Sequence, residues 1–140
     1  MTRRFLVMAI ALGIVAIPGI ARASHSLVVS TEKKALLLSP TQVLVTGSLT
    51  CIGEAERGSI GVVVVAIGSV TQAGGGSTPF SCSAGETQTW TVVVDANFFS
   101  TFSKGRITYD TFAFTSCSDI ETDCPSAADQ GILKIKAHKV

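Results

Sequence analysis

The sequence predicts an all-β domain, an antiparallel β-sandwich of seven to eight strands tied by two disulfides. Three observations carry this. Apolar residues beyond residue 24 recur at every second position rather than at helical spacing. Gly-, Pro- and Ser-rich turn segments separate these runs. All four cysteines lie beyond an amino-terminal export signal.

The elements follow in chain order. A first strand is expected near Leu27 to Ser30 and a short one at Ala35 to Leu38. From Val43 to Cys51, Val43, Val45, Leu49 and Cys51 share one face and Thr46, Ser48 and Thr50 the other, as in a half-buried strand. Val62 to Ile67 is apolar throughout, as a central strand covered on both faces would be. From Gln88 to Val94, Trp90, Val92 and Val94 point inward. Ile107, Tyr109, Thr111 and Ala113 alternate with Phe112 and Phe114. Leu133, Ile135 and Ala137 alternate with Lys134, Lys136 and His138, which suits a last strand with one wet face. Turns are expected at Gly53 to Gly58, Ala73 to Pro79, Ser83 to Glu86 and Asp95 to Gly105, with Gly74 to Gly76 forming a mobile hairpin tip. This strand count in a domain of this size fits an immunoglobulin-like sandwich, with a small Greek-key barrel as the alternative.

Residues 1–23 read as a secretory signal peptide. Arg3 and Arg4 give the positive start, Phe5 to Ile20 the uncharged apolar stretch, and Ala21-Arg22-Ala23 the small-x-small cleavage signal before Ser24. A permanent anchor is the alternative, but spanning a bilayer takes about 20 apolar residues, and this run is shorter and contains Pro18. Residues 24–140 then form one exported domain, secreted, periplasmic or at the cell surface. Loss of Arg3, Arg4 and Arg22 leaves eight Lys/Arg against ten Asp/Glu, a net charge of −2. That balance, with no basic run, excludes a nucleic-acid binder as the expected function and disfavours polyanionic lipid, so no membrane contact is expected after signal cleavage.

Four cysteines allow three pairings. The favoured one joins Cys51 to Cys82, tying the layers of the sandwich, and Cys117 to Cys124, closing a short loop. A four-thiolate metal site normally uses two close pairs, whereas here only Cys117 and Cys124 are close in sequence. A C-x-x-C redox motif is absent.

Around these cysteines stand Gly47 four residues before Cys51, then Val70-Thr71-Gln72, then Cys82 with Gly85 and Trp90, then Gly105. In these features residues 42–116 resemble a group of uncharacterised, secreted, immunoglobulin-like domains of bacteria. The resemblance implies fold and export and supplies no activity. The Cys117 to Cys124 loop lies outside it and resembles that of the neocarzinostatin-type apoproteins, which implies a small-ligand carrier as an alternative function.

Catalytic and metal-binding candidates are few. A Ser-His-acid hydrolase needs a held histidine, and His25 and His138 lie at the two ends of the exported chain. Asp110, Asp119, Glu121 and Asp123 offer carboxylates for glycoside cleavage but no evident cleft. Asp119-Ile120-Glu121-Thr122-Asp123 spaces carboxylates as a Ca²⁺ loop does, yet Cys124 and Gln130 stand where an EF-hand requires glycine and glutamate. Gly74 to Gly76 leads into a strand through Pro79-Phe80 and not into a phosphate-binding helix. Trp90 reads as core, with a sugar-stacking platform as the sharper alternative.

Phe98, Phe99 and Phe102 concentrate three of seven phenylalanines in one loop. One or two of them are expected to cap the end of the core; the sharper alternative is an exposed aromatic patch that binds a partner. The expected molecule is a non-catalytic binding or structural accessory domain with no cofactor. Its partner would be an extracellular or cell-surface protein or glycan, met through Phe98, Phe99 and Phe102. A carrier or a small extracellular hydrolase are the alternatives.

Overall fold

A computed structural model describes residues 26–67, 72–116 and 124–137. Its elements are eight strands: β1 (Ser26–Thr31), β2 (Lys34–Ser39), β3 (Gln42–Ile52), β4 (Glu56–Ala66), β5 (Ala73–Cys82), β6 (Thr87–Ala96), β7 (Gly105–Thr115) and β8 (Ser126–Ala137).

β3 pairs with β6 along one edge; along its other edge it takes β1 and then β2. β2 runs parallel to β8, which continues through β7 and β4 to β5. Two rungs, Gly74 with Ala96 and Gly75 with Asp95, join β5 to β6 and complete a ring of seven strands. The all-β expectation is met, but the two separate sheets of a sandwich are not: one continuous sheet closes as a barrel. Glycine is the physical reason. A Cβ at Gly74 would overlap the Asp95 carbonyl, and one at Gly76 the Val93 carbonyl, so hydrogen at these positions lets β5 cross onto β6. The expected mobile tip at 74 to 76 is therefore part of a strand, and the expected turn at Ala73 to Pro79 lies within β5.

Alternation of side chains fills the interior. Val43, Val45, Leu49, Trp90, Val92, Val94, Ile107, Tyr109, Leu133 and Ile135 point inward as their period-two patterns require. Each fully buried aliphatic side chain contributes about 1.5–3 kcal/mol. The run from Val62 to Ile67 departs from expectation. Val62 and Val64 are buried, but Val63, Val65 and Ile67 are 41%, 37% and 51% exposed, so β4 has one open face. Among the described residues no helix packs over that side.

Cys51 and Cys82 form the expected disulfide, with Cα atoms 6.2 Å apart. It ties β3 to β5 across the intervening β6, at the end of the barrel where β3 and β5 terminate and β4 and β6 begin. Among the described residues it is the one disulfide with both partners placed; the expected partner of Cys124, Cys117, lies outside them.

Polar groups inside the wall are paired. β1 forms a ladder with β3 and none with β8; instead the Thr31 N–H donates to Asp129 Oδ2 at 2.9 Å. Tyr109 OH donates to the same oxygen at 3.0 Å and accepts from Lys33 Nζ at 2.6 Å. The buried hydroxyls of Thr31 and Thr111 bond at 2.8 Å. No buried side-chain polar atom among the described residues lacks a partner, as expected where desolvation without compensation is costly.

Candidate functional site

The end of the barrel opposite the disulfide collects the β2–β3 turn, the loop between β6 and β7, and the last residues of β4 and β8. β6 stops at Ala96, whose N–H donates to the Thr41 carbonyl at 2.9 Å, and the chain then turns, with Ser100 N–H donating to Asn97 O at 2.8 Å. Within that turn Phe99 adopts φ 68°. The left-handed region costs a non-glycine residue roughly 1–2 kcal/mol, and such a conformation persists where surrounding bonds impose it. Here Asn97 N–H donates to Ala73 O at 2.8 Å, Phe102 N–H to Pro40 O at 2.7 Å, and Ser103 N–H to Gln72 Oε1 at 3.0 Å.

The result separates the three phenylalanines. Phe102 is 4% exposed and plugs the barrel end, whereas Phe98 and Phe99 are 86% and 93% exposed. Their ring centroids lie 4.3 Å apart at 47°, so the pair projects as one aromatic knob. Beside it runs an open groove of about 490 Å³ lined by Leu37, Leu38, Ser39, Pro40, Phe102, Ser103, Lys104 and Ala137.

The same end carries a feature that the sequence does not display as a motif. On the outer face, the register places Lys34 opposite Lys134 and Lys134 opposite Arg106, a row of three cations across β2, β8 and β7. One rung nearer the barrel end, Lys136 stands opposite Leu36, and Lys104 precedes β7. All five cations are exposed. The alternation of Lys134 and Lys136 on a wet face is legible in one strand; their union with Lys34, Lys104 and Arg106 needs the strand order.

Carboxylates are distributed differently. Glu54, Glu56 and Glu86 lie at the disulfide end, and Asp110 and Asp129 midway along β7 and β8. Two lie near the cations: Asp95, next to last in β6, stands at the same end and accepts from Gln42 Nε2 at 2.9 Å, and Glu32 lies in the β1–β2 link, two residues before Lys34.

The other sequence candidates fall as follows. Trp90 is buried, its indole N–H donating to Ser48 O at 3.0 Å. His25, His138 and the acidic segment Asp119 to Asp123 lie outside the described residues. Among the described residues no group of three or more His, Cys, Asp or Glu is placed to hold a metal ion. At the disulfide end an open concavity of about 630 Å³ is lined by Arg57, Gly58, Pro79, Phe80, Ser81 and Ser116.

No family model and no curated protein matches the chain. Among solved structures it is similar to a late embryogenesis abundant protein at 13% identity and TM-score 0.46, covering 94% of this chain and 85% of that one. It is similar to a glycoside hydrolase family 2 β-glucuronidase at 13% identity and TM-score 0.44, covering 79% of this chain but spanning only 11% of the glucuronidase. CsgH of R. palustris matches at 18% identity and TM-score 0.38, covering 74% of this chain and 89% of that one. Likenesses this distant carry no argument about activity.

Proposed function

We propose that this chain is an exported, non-catalytic β-domain that works by binding, through the end of the barrel that bears Phe98 and Phe99. The strand neighbours support a finer reading of the fold: β1, β3 and β6 on one side and β5, β4, β7 and β8 on the other, with β2 passing from β3 to β8, is an immunoglobulin-like arrangement closed at its margins. The Cys51–Cys82 bridge is consistent with an oxidising compartment, and with the signal-like residues 1–23 it supports export.

The observation that carries the binding role is the knob itself. Two adjacent phenylalanines 86% and 93% exposed, on a loop fixed by backbone bonds and strained at Phe99, are what a preorganised contact requires. Order retained without a partner lowers the entropy lost on binding, and aromatic side chains are frequent anchors of interfaces. The interior supports this over a carrier, since Val45, Leu49, Ile60, Val62 and Val94 fill it with no exposure.

The test immobilises the wild-type chain and the Phe98→Ser/Phe99→Ser double variant and exposes both to the envelope and medium fractions of the producing organism. Material retained by wild type and by a Phe112→Ser control, and lost from the loop variant, is the expected result. Equal retention by all three would remove the knob from the function.

A further inference from the structure

We propose that the partner of this end is an anionic phospholipid surface, with Lys34, Lys104, Arg106, Lys134 and Lys136 lying over the headgroups and Phe98 and Phe99 entering the headgroup–acyl boundary. This deepens the binding role proposed above and rests on it.

The net charge of −2 for residues 24–140 argues against such a surface only if the charges act as one. They do not. The screening length is about 8–10 Å at physiological salt, and the strand from Lys134 back to Ser126, at about 3.3 Å per residue, puts the disulfide end roughly 25 Å away. The carboxylates Glu54, Glu56 and Glu86 at that end are therefore screened from an anion meeting the five cations. At the basic end Asp95, bonded to Gln42, and Glu32, two residues before Lys34, oppose the five cations but are outnumbered by them, so the molecule is oriented basic end first.

Charge alone would suit any polyanion; the apolar groups select lipid. Leu36 and Leu38 are 37% and 38% exposed beside the cations, and Ile132 is 45% exposed one outward position from Lys134 on β8. Ile67, 51% exposed, follows the end of β4, whose Ala66 pairs with Ile107 of β7. An aromatic ring can stack on a sugar face, but the exposed aliphatic side chains of Leu36, Leu38, Ile67 and Ile132 gain little from a hydrated polysaccharide chain or a phosphate backbone. At a bilayer they lose contact with water while lysine and arginine stems reach back to the headgroups. The knob is convex and stands clear of its own surface, as a group that enters a soft interface must.

The experiment measures sedimentation of the chain with vesicles of phosphatidylcholine alone and of equal parts phosphatidylcholine and phosphatidylglycerol. Variants carry the same amino-terminal segment, so its contribution is common to all. Binding to the anionic vesicles alone is expected, weakening as NaCl rises from about 0.1 M to about 0.5 M. Each cation contributes about fivefold in affinity, so Arg106→Gln/Lys134→Gln should weaken binding roughly 25-fold, and Lys104→Gln/Lys136→Gln serves if that variant unfolds. Phe98→Ser/Phe99→Ser should abolish stable binding, and Phe99→Trp should give a blue-shifted emission quenched by brominated lipid. Absence of binding to anionic vesicles overturns the proposal, as does binding unaffected by the Phe variants. Equal capture by dextran sulfate without a blue shift would make this a polysaccharide site and overturn it too. If vesicles fail while the loop variant still loses a soluble partner, the lipid assignment falls and the binding role stands; if the loop variant loses nothing in either assay, both fall.

Discussion

The ring of Trp90 lies directly against the Cα of Gly47, the residue opposite it on the neighbouring strand, and fills the volume that a side chain there would need. A Cβ at Gly47 would overlap both the indole and the Ser30 carbonyl, so two strands and the core tryptophan are set by one missing methyl. Gly47→Ala is expected to destabilise the domain by about 1–3 kcal/mol or more, the usual range for overpacking a filled core. Urea unfolding followed by Trp90 fluorescence measures it directly.

Cys51 and Cys82, separated by 31 positions, close a loop for which the chain-entropy model gives about 3.5 kcal/mol. Cys51→Ala/Cys82→Ala should lose roughly that amount, a large share of the ~5–15 kcal/mol that holds a domain together. Peptide mapping of the unreduced protein is expected to join Cys51 to Cys82 and Cys117 to Cys124. Labelling of unfolded, unreduced protein by a thiol reagent would contradict the second bridge.

Asp129 accepts from both the Thr31 N–H and the Tyr109 hydroxyl. Asp129→Ala strands those two donors, and an unsatisfied buried group costs about 1–3 kcal/mol; Tyr109→Phe should cost less, since it removes its own donor. The hydrogen bond to Tyr109, with the charge of Asp129 adding to it, holds the Lys33 ammonium above its ordinary pKa of 10.5. A raised pKa means that the contribution is complete below the unfolded value and lost as pH rises through the folded one. The melting temperature of wild type should therefore fall more steeply than that of Lys33→Met above about pH 10, and by little, because Lys33 is exposed.

Within one loop the phenylalanines should part company. Phe102→Ala opens a cavity at the plugged barrel end and should cost about 3–5 kcal/mol. Phe98→Ser should change stability by less than about 0.5 kcal/mol, as most surface substitutions do. Phe99→Gly should stabilise slightly by relieving the left-handed backbone. Thermal melts of the three variants decide this, and a large loss at Phe98 would make it a core residue.

Much of the fold is legible in the sequence because period-two burial is a local signal. Val43 to Cys51, Trp90 to Val94 and Ile107 to Ala113 declare their inner faces without any neighbour, and strand position favours Cys51 with Cys82 among the three pairings that four cysteines allow. Closure is not local. Gly74 and Gly76 look like a flexible tip because their composition is that of a turn; only the approach of Asp95 and Val93 shows why side chains are absent. An apolar run such as Val62 to Ile67 likewise does not state whether anything covers its outer face. At the candidate site the aromatic loop is visible as a cluster in sequence, though the division between buried Phe102 and exposed Phe98 and Phe99 is not. The five cations, drawn from three segments, need the β2–β8–β7 register to meet.

Site-specific photo-cross-linking tests the binding role most directly. A benzoylphenylalanine placed at Phe98, and in a separate protein at Ala84 of the opposite end, is irradiated in the native envelope or medium. Adducts formed at position 98 and suppressed by Phe99→Ser, with none at position 84, are the expected result. Adducts at position 84 alone, or at neither position while the protein still associates with its surroundings, would contradict a role for the aromatic end.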